Sequence, residues 1–426
     1  MMREDWIEVE LGDVCGIHDT LRRPINSKER NSRIEGKNKS ELFPYYGATG
    51  QVGYIDGYLT DGEFVLIGED GAPFFDYTKD IAYLIKGKTW VNNHAHILLS
   101  HFNNKFLLHY LNQFNFYGFV SGTTRLKLTQ NSLKQIPVHV APLPEQRAIA
   151  AKIEQLFSEL DNGIANLKTA KSKLEIYRFC VLNLAIVNSP LQKIANVVDG
   201  LSQGWSPKCR EESSKDINEW AVIKTSAIQS GNFIEEENKI LPDNLTPREQ
   251  HEIKVDDILI TRAGPRVRVG ICCLVRKTRS RLINCDKVYR LRVKNEIILP
   301  TYFEYLMNSL TYVHKIEEIK TGGNDSGLNL TQVRYLNIEI PIPPIEEQKQ
   351  IVQEIETRLS VCDKLNESID QSLEKAQALR QSILKKAFEG KLLSEDELQN
   401  CRQQPDWEPA AKLLERVKKD SKTKKS

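Results

Sequence analysis

The chain repeats itself, and this limits it to folds that can be built twice. Placing Leu128-Thr129-Gln130 on Leu330-Thr331-Gln332 superposes residues 128–161 on 330–363 without a gap. Ile136 then meets Ile338, Pro142 meets Pro344, and Glu145-Gln146 meets Glu347-Gln348. Ile149, Ile153 and Glu154 meet Ile351, Ile355 and Glu356, so that 12 of 34 positions are identical. Ordinary composition would give about two or three. Weaker echoes lie upstream. Phe64-Val65-Leu66-Ile67 before Gly71 resembles Ile258-Leu259-Ile260 before Gly264, each a short strand running into a glycine turn. Val91-Asn92 before Ile97-Leu98 resembles Ile283-Asn284 before Val288-Tyr289, and Leu11 and Val14 resemble Ile194 and Val197. Phe106-Leu107 and Leu111-Asn112 resemble Tyr302-Phe303 and Met307-Asn308. The spacing drifts in this part, so the two copies share a fold and differ in loops, as expected of two similar readers of different targets.

The best-matched part of each copy leads into a long amphipathic helix. The first enters at Pro142-Leu143-Pro144 and runs to about Val187, before Asn188-Ser189-Pro190. Its seam is Ile149, Ile153, Leu156, Leu160, Leu167, Leu174 and Val181, with Gly163 as a gap. The second follows Pro343-Pro344, carries Ile351, Ile355, Cys362, Leu365, Ile369, Leu379 and Ile383, and ends near Gly390. Each is roughly 65 Å long at 1.5 Å per residue. A helix of that length with one apolar stripe needs a partner. Pairing of the two copies antiparallel would place the globular parts at opposite ends about a pseudo-twofold axis, and pairing with another protein is the alternative. Phe157, Phe179 and Phe388 lie off the seam and are left over for a third partner. The chain thus divides into an α/β (α+β) globular domain at 1–142, a helix at 143–188, a second globular domain at 189–344, a second helix at 345–393, and a basic C-terminal tail at 394–426 expected to be mobile.

A chain of 426 residues suits two or three domains, and 40% hydrophobic with 27% charged residues is a soluble composition. No apolar run is long enough to span a membrane, and Met1-Met2-Arg3-Glu4-Asp5-Trp6 has no apolar signal segment, so the cytoplasm is the expected location. Eight cysteines without a CxxC pair argue against a zinc site or a disulfide framework. The net charge of +2 is uninformative, but its distribution is not. Residues 262–294 hold eleven Lys/Arg and one acid, 19–39 hold seven and three, and the last nine residues hold five lysines. Basic globular parts between acid-rich helices fit a polyanion partner, and solvated loops fit the same pattern.

With the helix starts Pro142-Leu143-Pro144-Glu145-Gln146-Arg147 and Pro343-Pro344-Ile345-Glu346-Glu347-Gln348-Lys349, and the loop Gly122-Thr123-Thr124-Arg125-Leu126-Lys127-Leu128, the chain resembles the specificity subunit of type I restriction-modification systems. Tyr45-Tyr46-Gly47-Ala48-Thr49-Gly50 and Ile67-Gly68-Glu69-Asp70-Gly71 resemble one type of target recognition domain in that family, and the resemblance covers about residues 5–393. It implies two target recognition domains, each reading half of a split, asymmetric DNA sequence, with the helices as a ruler. It also implies two methyltransferase subunits and motor-nuclease (restriction) subunits as partners. S-adenosylmethionine, ATP and Mg²⁺ would then belong to those partners, and this chain would hold no cofactor, metal or catalytic residue. One departure is plain: Gly322-Gly323-Asn324-Asp325-Ser326-Gly327-Leu328 has no arginine at the place of Arg125.

Reading DNA takes cations for phosphates and forked donors for base edges. The candidates in the first domain are Arg22, Arg23, Lys28, Arg30, Tyr46, Thr49, Thr123, Thr124, Arg125 and Lys127, with Tyr45 as candidate or core. In the second they are Arg262, Arg266 and Arg268 on a Gly/Pro loop after a strand, Arg276, Lys277, Arg279 and Arg281 on what reads as a basic hairpin tip, and Asn324 and Ser326. His94 and His96 alternate on a strand without a third ligand at metal spacing, Cys272-Cys273 reads as strand core, and Glu69-Asp70 reads as a glycine-bounded turn. No Walker lysine, Asn/Asp-Pro-Pro-aromatic or glycine-rich cofactor motif is present. The alternatives are a self-contained DNA-modifying fusion and a coiled-coil scaffold with protein-binding domains.

Overall fold

The computed structural model describes residues 3–76 and 78–423, with side chains through Lys419. Two compact units emerge, residues 1–167 with 371–426 and residues 168–370. Each joins one globular part to half of each long helix.

In the first unit six strands lie in the order Cys15–Ile17, Ala95–Ser100, Thr60–Gly68, Ala82–Val91, Phe43–Gly47 and Gly50–Ile55. The central run Val65-Leu66-Ile67 is apolar throughout because both faces are covered. Val65 and Ile67 join a core with Trp6, Phe106 and Leu111, and Leu66 packs with Ile85 and Ile97 on the other side. In the second unit the order is Val198–Gln203, Val288–Val293, Ile258–Thr261, Cys272–Leu274, which reproduces the first four strands. The echoed Asn112 and Asn308 do the same work. Asn112 Oδ1 accepts from the amides of Ile81 and Ala82, Asn112 Nδ2 donates to Ala82 O, and Asn308 Nδ2 donates to Cys272 O. Leu11 N donates to Ile136 O at 2.8 Å and Ile194 N to Ile338 O at 3.0 Å, tying each domain's start to its repeat segment.

Two expectations about strands need correction. Ile67 pairs with His96 and Ile260 with Tyr289, so the counterpart of Val288-Tyr289 is Ala95-His96, two residues before Ile97-Leu98. A two-residue slip leaves the buried face unchanged, which is why the hydrophobic pattern did not reveal it. Arg276–Arg281 is not a hairpin tip. In the first unit one strand, Ala82–Val91, pairs with Thr60–Gly68 along its length and runs parallel to Phe43–Gly47 at Trp90-Val91. In the second unit its counterpart is broken into Cys272–Leu274 and Leu282–Ile283, and the latter runs parallel to Ala221–Ile223. The basic residues fill the break.

The long helices are Leu143–Leu182 and Ile345–Phe388. They pair antiparallel: in the first unit Ile149 and Ile153 share a core with Ile383 and Leu384, and in the second Val181 shares one with Ile355. The repeated Gln has a structural task. Gln146 Nε2 caps Ala141 O and Gln348 Nε2 caps Pro343 O, each at 2.8 Å and buried. The duplication continues past residue 161: Arg178 binds Asp363 at 2.6 Å in one unit, and Arg380 binds Asp161 in the other. Ile149, Ile153, Val181, Ile355, Cys362 and Ile383 are buried on the seam, and Leu156, Leu160, Leu167, Leu174, Ile351 and Ile369 are half-buried. Leu365 and Leu379 face solvent at 50% and 51% exposure. From Cys362 the seam steps four and then three, through Asn366, Ile369, Ala376 and Arg380, so polar residues take the rungs assigned to those leucines.

The segment beyond 393 is folded rather than mobile. It forms the helices Glu395–Arg402 and Ala410–Thr423, the first closed by a capping box from Ser394 to Glu397. Leu398, Cys401 and Ala410 join the core of Trp6, Ile149 and Ile153. Arg147–Asp406 at 2.8 Å and Lys152–Glu397 at 2.9 Å fasten it to the first long helix. Its lysines hid an apolar stripe. Residues 424–426, the end of the lysine run, lie outside the described residues. Phe388, thought available to a partner, is buried against Phe106 and Tyr110, with ring centroids 5.1 Å away in each case. Among the described residues no helix is long and apolar enough to cross a membrane.

Candidate nucleic-acid interface

Each sheet ends in the same pair of backbone loops. In the first unit the strand Thr60–Gly68 turns at Glu69-Asp70-Gly71 and meets the loop 122–128. Leu128 N donates to Glu69 O at 2.7 Å and Gly71 N to Leu126 O at 3.0 Å. Gly122, at φ 100°, can only be glycine, because a Cβ would lie 2.4 Å from Arg125 O. In the second unit Leu330 N donates to Arg262 O at 2.7 Å, and Gly264 pairs with Leu328. Glu69 and Arg262 therefore occupy the same place in the frame with opposite charge. A salt bridge joins the loops in both copies with its polarity exchanged: Arg125 reaches back to Asp70 at 2.7 Å, whereas Arg266 reaches forward to Asp325 at 2.9 Å. The arginine missing opposite Arg125 is thus supplied from the other loop.

Beneath the first pair of loops lies a charged network. His96, 1% exposed, bonds Asp19 through Nδ1 at 2.7 Å and Leu128 O through Nε2 at 2.9 Å. Tyr289 takes its place in the second unit and donates to Leu330 O at 2.9 Å. The shared function is holding that carbonyl, and among the described residues no His/Cys/Asp/Glu group is arranged to hold a metal. Burial pushes the Glu69 carboxyl up, but hydrogen bonds from Arg22 and Lys127 outweigh it and leave the group below the usual range. Asp19 is likewise held low against its burial, chiefly by His96 and then Arg22.

These geometries sort the candidate residues. Arg22 is 16% exposed and bound to Glu69 at 2.5 Å and Asp19 at 3.1 Å. Its charge is committed to two half-buried carboxylates, so the expected outward role is corrected. Arg125 and Lys127 stay 61% and 51% exposed, with Thr123 and Thr124 exposed beside them. The Gly47–Gly50 hairpin tip, carrying exposed Thr49, adjoins Gly68, where a Cβ would lie 2.9 Å from Ala48 O. Tyr45 is buried and donates to Ile25 O, so it is core. Tyr46 is half-buried and stacks on Tyr83 at 5.8 Å, which gives it packing work as well. Arg23 and Lys28 are exposed, and Arg30 lies 5.0 Å over the Tyr45 ring.

In the second unit Arg268 is turned inward, donating to Thr225 O at 2.5 Å and Ile228 O at 2.7 Å. Arg276 neutralises the buried Glu304 at 2.5 Å. Arg279 donates to the carbonyls of Asp216 and Glu219 and Arg281 to that of Asn218, pinning the neighbouring segment. An outward role is corrected for Arg268 and Arg279, which are half-buried with their donors turned to carbonyls, whereas Arg276 and Arg281 stay exposed while also serving the groups that the broken strand leaves. Arg262 lies over Tyr289 at 5.5 Å, and Lys277, Asn324 and Ser326 are exposed. Sequence reasoning does not single out Lys287. It is exposed, and Arg262 N donates to its carbonyl, which places both cations at the strand end. Its signal was the single lysine between two buried strands.

The model of the type I restriction modification DNA specificity domain matches residues 3–169 and 205–375. The specificity subunit of the type I restriction enzyme EcoBI of Escherichia coli is 23% identical over 465 aligned positions, covering 98% of this chain and 92% of that one. The EcoEI specificity subunit of the same organism is 38% identical over 173 residues, 41% of this chain and 29% of that relative. The crystal structure of the HsdS subunit from Thermoanaerobacter tengcongensis aligns at TM-score 0.54 and 18% identity over 92% of this chain and 98% of that one. A chain from a structure describing complex assembly and conformational transition of the type I R-M system aligns at TM-score 0.67 and 18% identity, over 92% and 100%. Two matched domains, each ending in the same loop frame beside a long helix, make this chain a member of the type I restriction-modification specificity-subunit family.

Proposed function

We propose that the chain directs a type I restriction-modification complex to a bipartite, asymmetric DNA target. Domain 1–142 would read one half, domain 189–344 the other, and the long helices would set the gap. Two modification subunits and the restriction subunits would dock on it and bring S-adenosylmethionine, ATP and Mg²⁺. One observation supports this above the rest: the two loop frames share the same backbone hydrogen bond and strand pairing, yet present Glu69 against Arg262 and Asp70–Arg125 against Arg266–Asp325. A conserved frame with changed side chains is what two different half-targets require, since base edges are told apart by donor and acceptor pattern.

The test is to map methylated bases in a host with and without the chain. Removing the same one or two turns from both helices should alter the gap and leave the half-sequences unchanged, and an unaltered gap would remove the ruler. Replacing Arg262 and Lys287 with alanine should lower the salt slope of DNA binding by about two, one counterion per phosphate contact. Salt-insensitive or absent DNA binding would favour the protein-binding scaffold instead.

A further inference from the structure

A cleft lies beside the paired helices in each unit, and the 202-residue shift relates the long-helix residues that line the two. In the first unit it measures about 280 Å³ and holds the Phe157 ring. The Arg380 guanidinium sits 4.2 Å over that ring, and His109 meets it edge-on with centroids 5.9 Å apart. In the second unit Arg178 takes the place of Arg380 and is oriented by Asp363 as Arg380 is by Asp161. Tyr305 stands in the counterpart of the His109 helix, three residues before the shared asparagine. At the ring's own position, however, the chain has Leu359, and the cleft opens to about 660 Å³. The walls that grip an aromatic ring persist, and the ring does not.

The rim differs in the same sense: Phe179 lines it and is 45% exposed where the first unit has Gln381, and elsewhere on the helices Val361 and Ile176 are exposed where the first unit has Glu159 and Ala378. We propose that this cleft receives an aromatic side chain of the modification subunit, seated over Leu359 between Arg178 and Tyr305. This rests on the docking reading above. The occupant is inferred from the sister cleft, in which the same cation and helix close on the chain's own phenylalanine. An aromatic with a polar edge, such as tyrosine or tryptophan, also suits a rim that carries both Arg276 and Glu356.

The experiment uses the full chain, the modification subunit, and N-acetyl-tryptophanamide as the probe, followed by saturation-transfer NMR. Leu359→Phe fills the cleft as the first unit does, and Phe179→Gln installs the sister residue on an exposed position. The probe should bind the wild-type chain and be displaced by the modification subunit. Leu359→Phe should abolish probe binding and weaken the subunit about tenfold, and Phe179→Gln should weaken it about threefold, as loss of an interface anchor does. If Leu359→Phe fails to fold, Phe179→Gln decides. Unchanged subunit affinity in a folded variant overturns the cleft while leaving docking intact. A wild-type chain that does not bind the modification subunit overturns the docking reading itself, and with it the occupant named here. Self-association lost on Phe179→Gln would assign the cleft to a second copy and overturn the proposal.

Discussion

Arginines at the strand ends divide by what lies beneath them. Arg276 covers Glu304, a carboxylate with no exposure, which also accepts from Leu274 N at 2.6 Å. Arg276→Ala should therefore cost about 2–3 kcal/mol, below the full penalty for a buried pair because Arg276 is half-exposed, and adding Glu304→Gln should restore part of it. Chemical denaturation of both variants checks this, and a double mutant no better than the single would contradict it. Gly122→Ala places a Cβ against Arg125 O at a positive φ and should cost about 1–3 kcal/mol. His109 is pushed down to about 4, mainly by burial. Folded, it is neutral where the unfolded chain near its ordinary value of about 6.5 takes up a proton. Its stability contribution is full above about 6.5 and falls as the pH drops toward about 4, by at most about 1.4 kcal/mol per unit. Denaturation curves of wild type and His109→Gln that keep one constant offset across that window would exclude this.

Among the elements, the helices carry the clearest test of register. Leu365 and Leu379 are half-exposed although they fall on an apolar three-four rhythm. Replacing either with lysine should change stability by no more than about 0.5 kcal/mol, whereas Ile355→Ala should cost about 2–4 kcal/mol. Thermal melts that rank them the other way would put the seam on the other face. The stripe that packs shares Ile351, Ile355, Cys362, Ile369 and Ile383 with the expected one and departs from it at two rungs, where the sequence favours Leu365 and Leu379. Packing against the first helix decides, because it can accept Asn366 and Arg380 at the polar rungs, the latter answered by Asp161. The broken strand is a comparable case. Arg276–Arg281 was visible as a basic run, but whether it faces solvent depends on carbonyls more than 50 residues away in sequence.

For the molecule as a whole, the two units have unequal surroundings at their repeated helix starts. Glu145 is fully buried, receiving Trp6 Nε1 at 3.0 Å, under the cover of the C-terminal helices, whereas Glu347 is exposed. Truncation after residue 393 should strip that cover and lower the melting temperature of the first unit by at least about 5 °C, since a loss of 1 kcal/mol moves a domain of this size by about 2–4 °C. The second unit should melt unchanged, and calorimetry resolving both transitions tests this.

By itself the sequence determined the duplication, the two long helices and the glycine-turn loops. These are local: a 3.6-residue period, prolines at helix starts, and Gly122 and Gly322 where the backbone needs positive φ. It also placed Arg125 and Lys127 at loop positions that remain outward, and Arg262 at the strand end, where it is half-buried over Tyr289. Only the tertiary structure decided which other cations are committed to buried acceptors, which residues take the two polar rungs facing the partner helix, and that the lysine-rich end is a packed pair of helices. The reason is common to all three. A charged side chain's role depends on the acceptor or apolar surface within a few ångströms of it, and here most of those groups lie tens to hundreds of residues away along the chain, from 28 for Arg276 and Glu304 to 397 for Arg402 and Asp5.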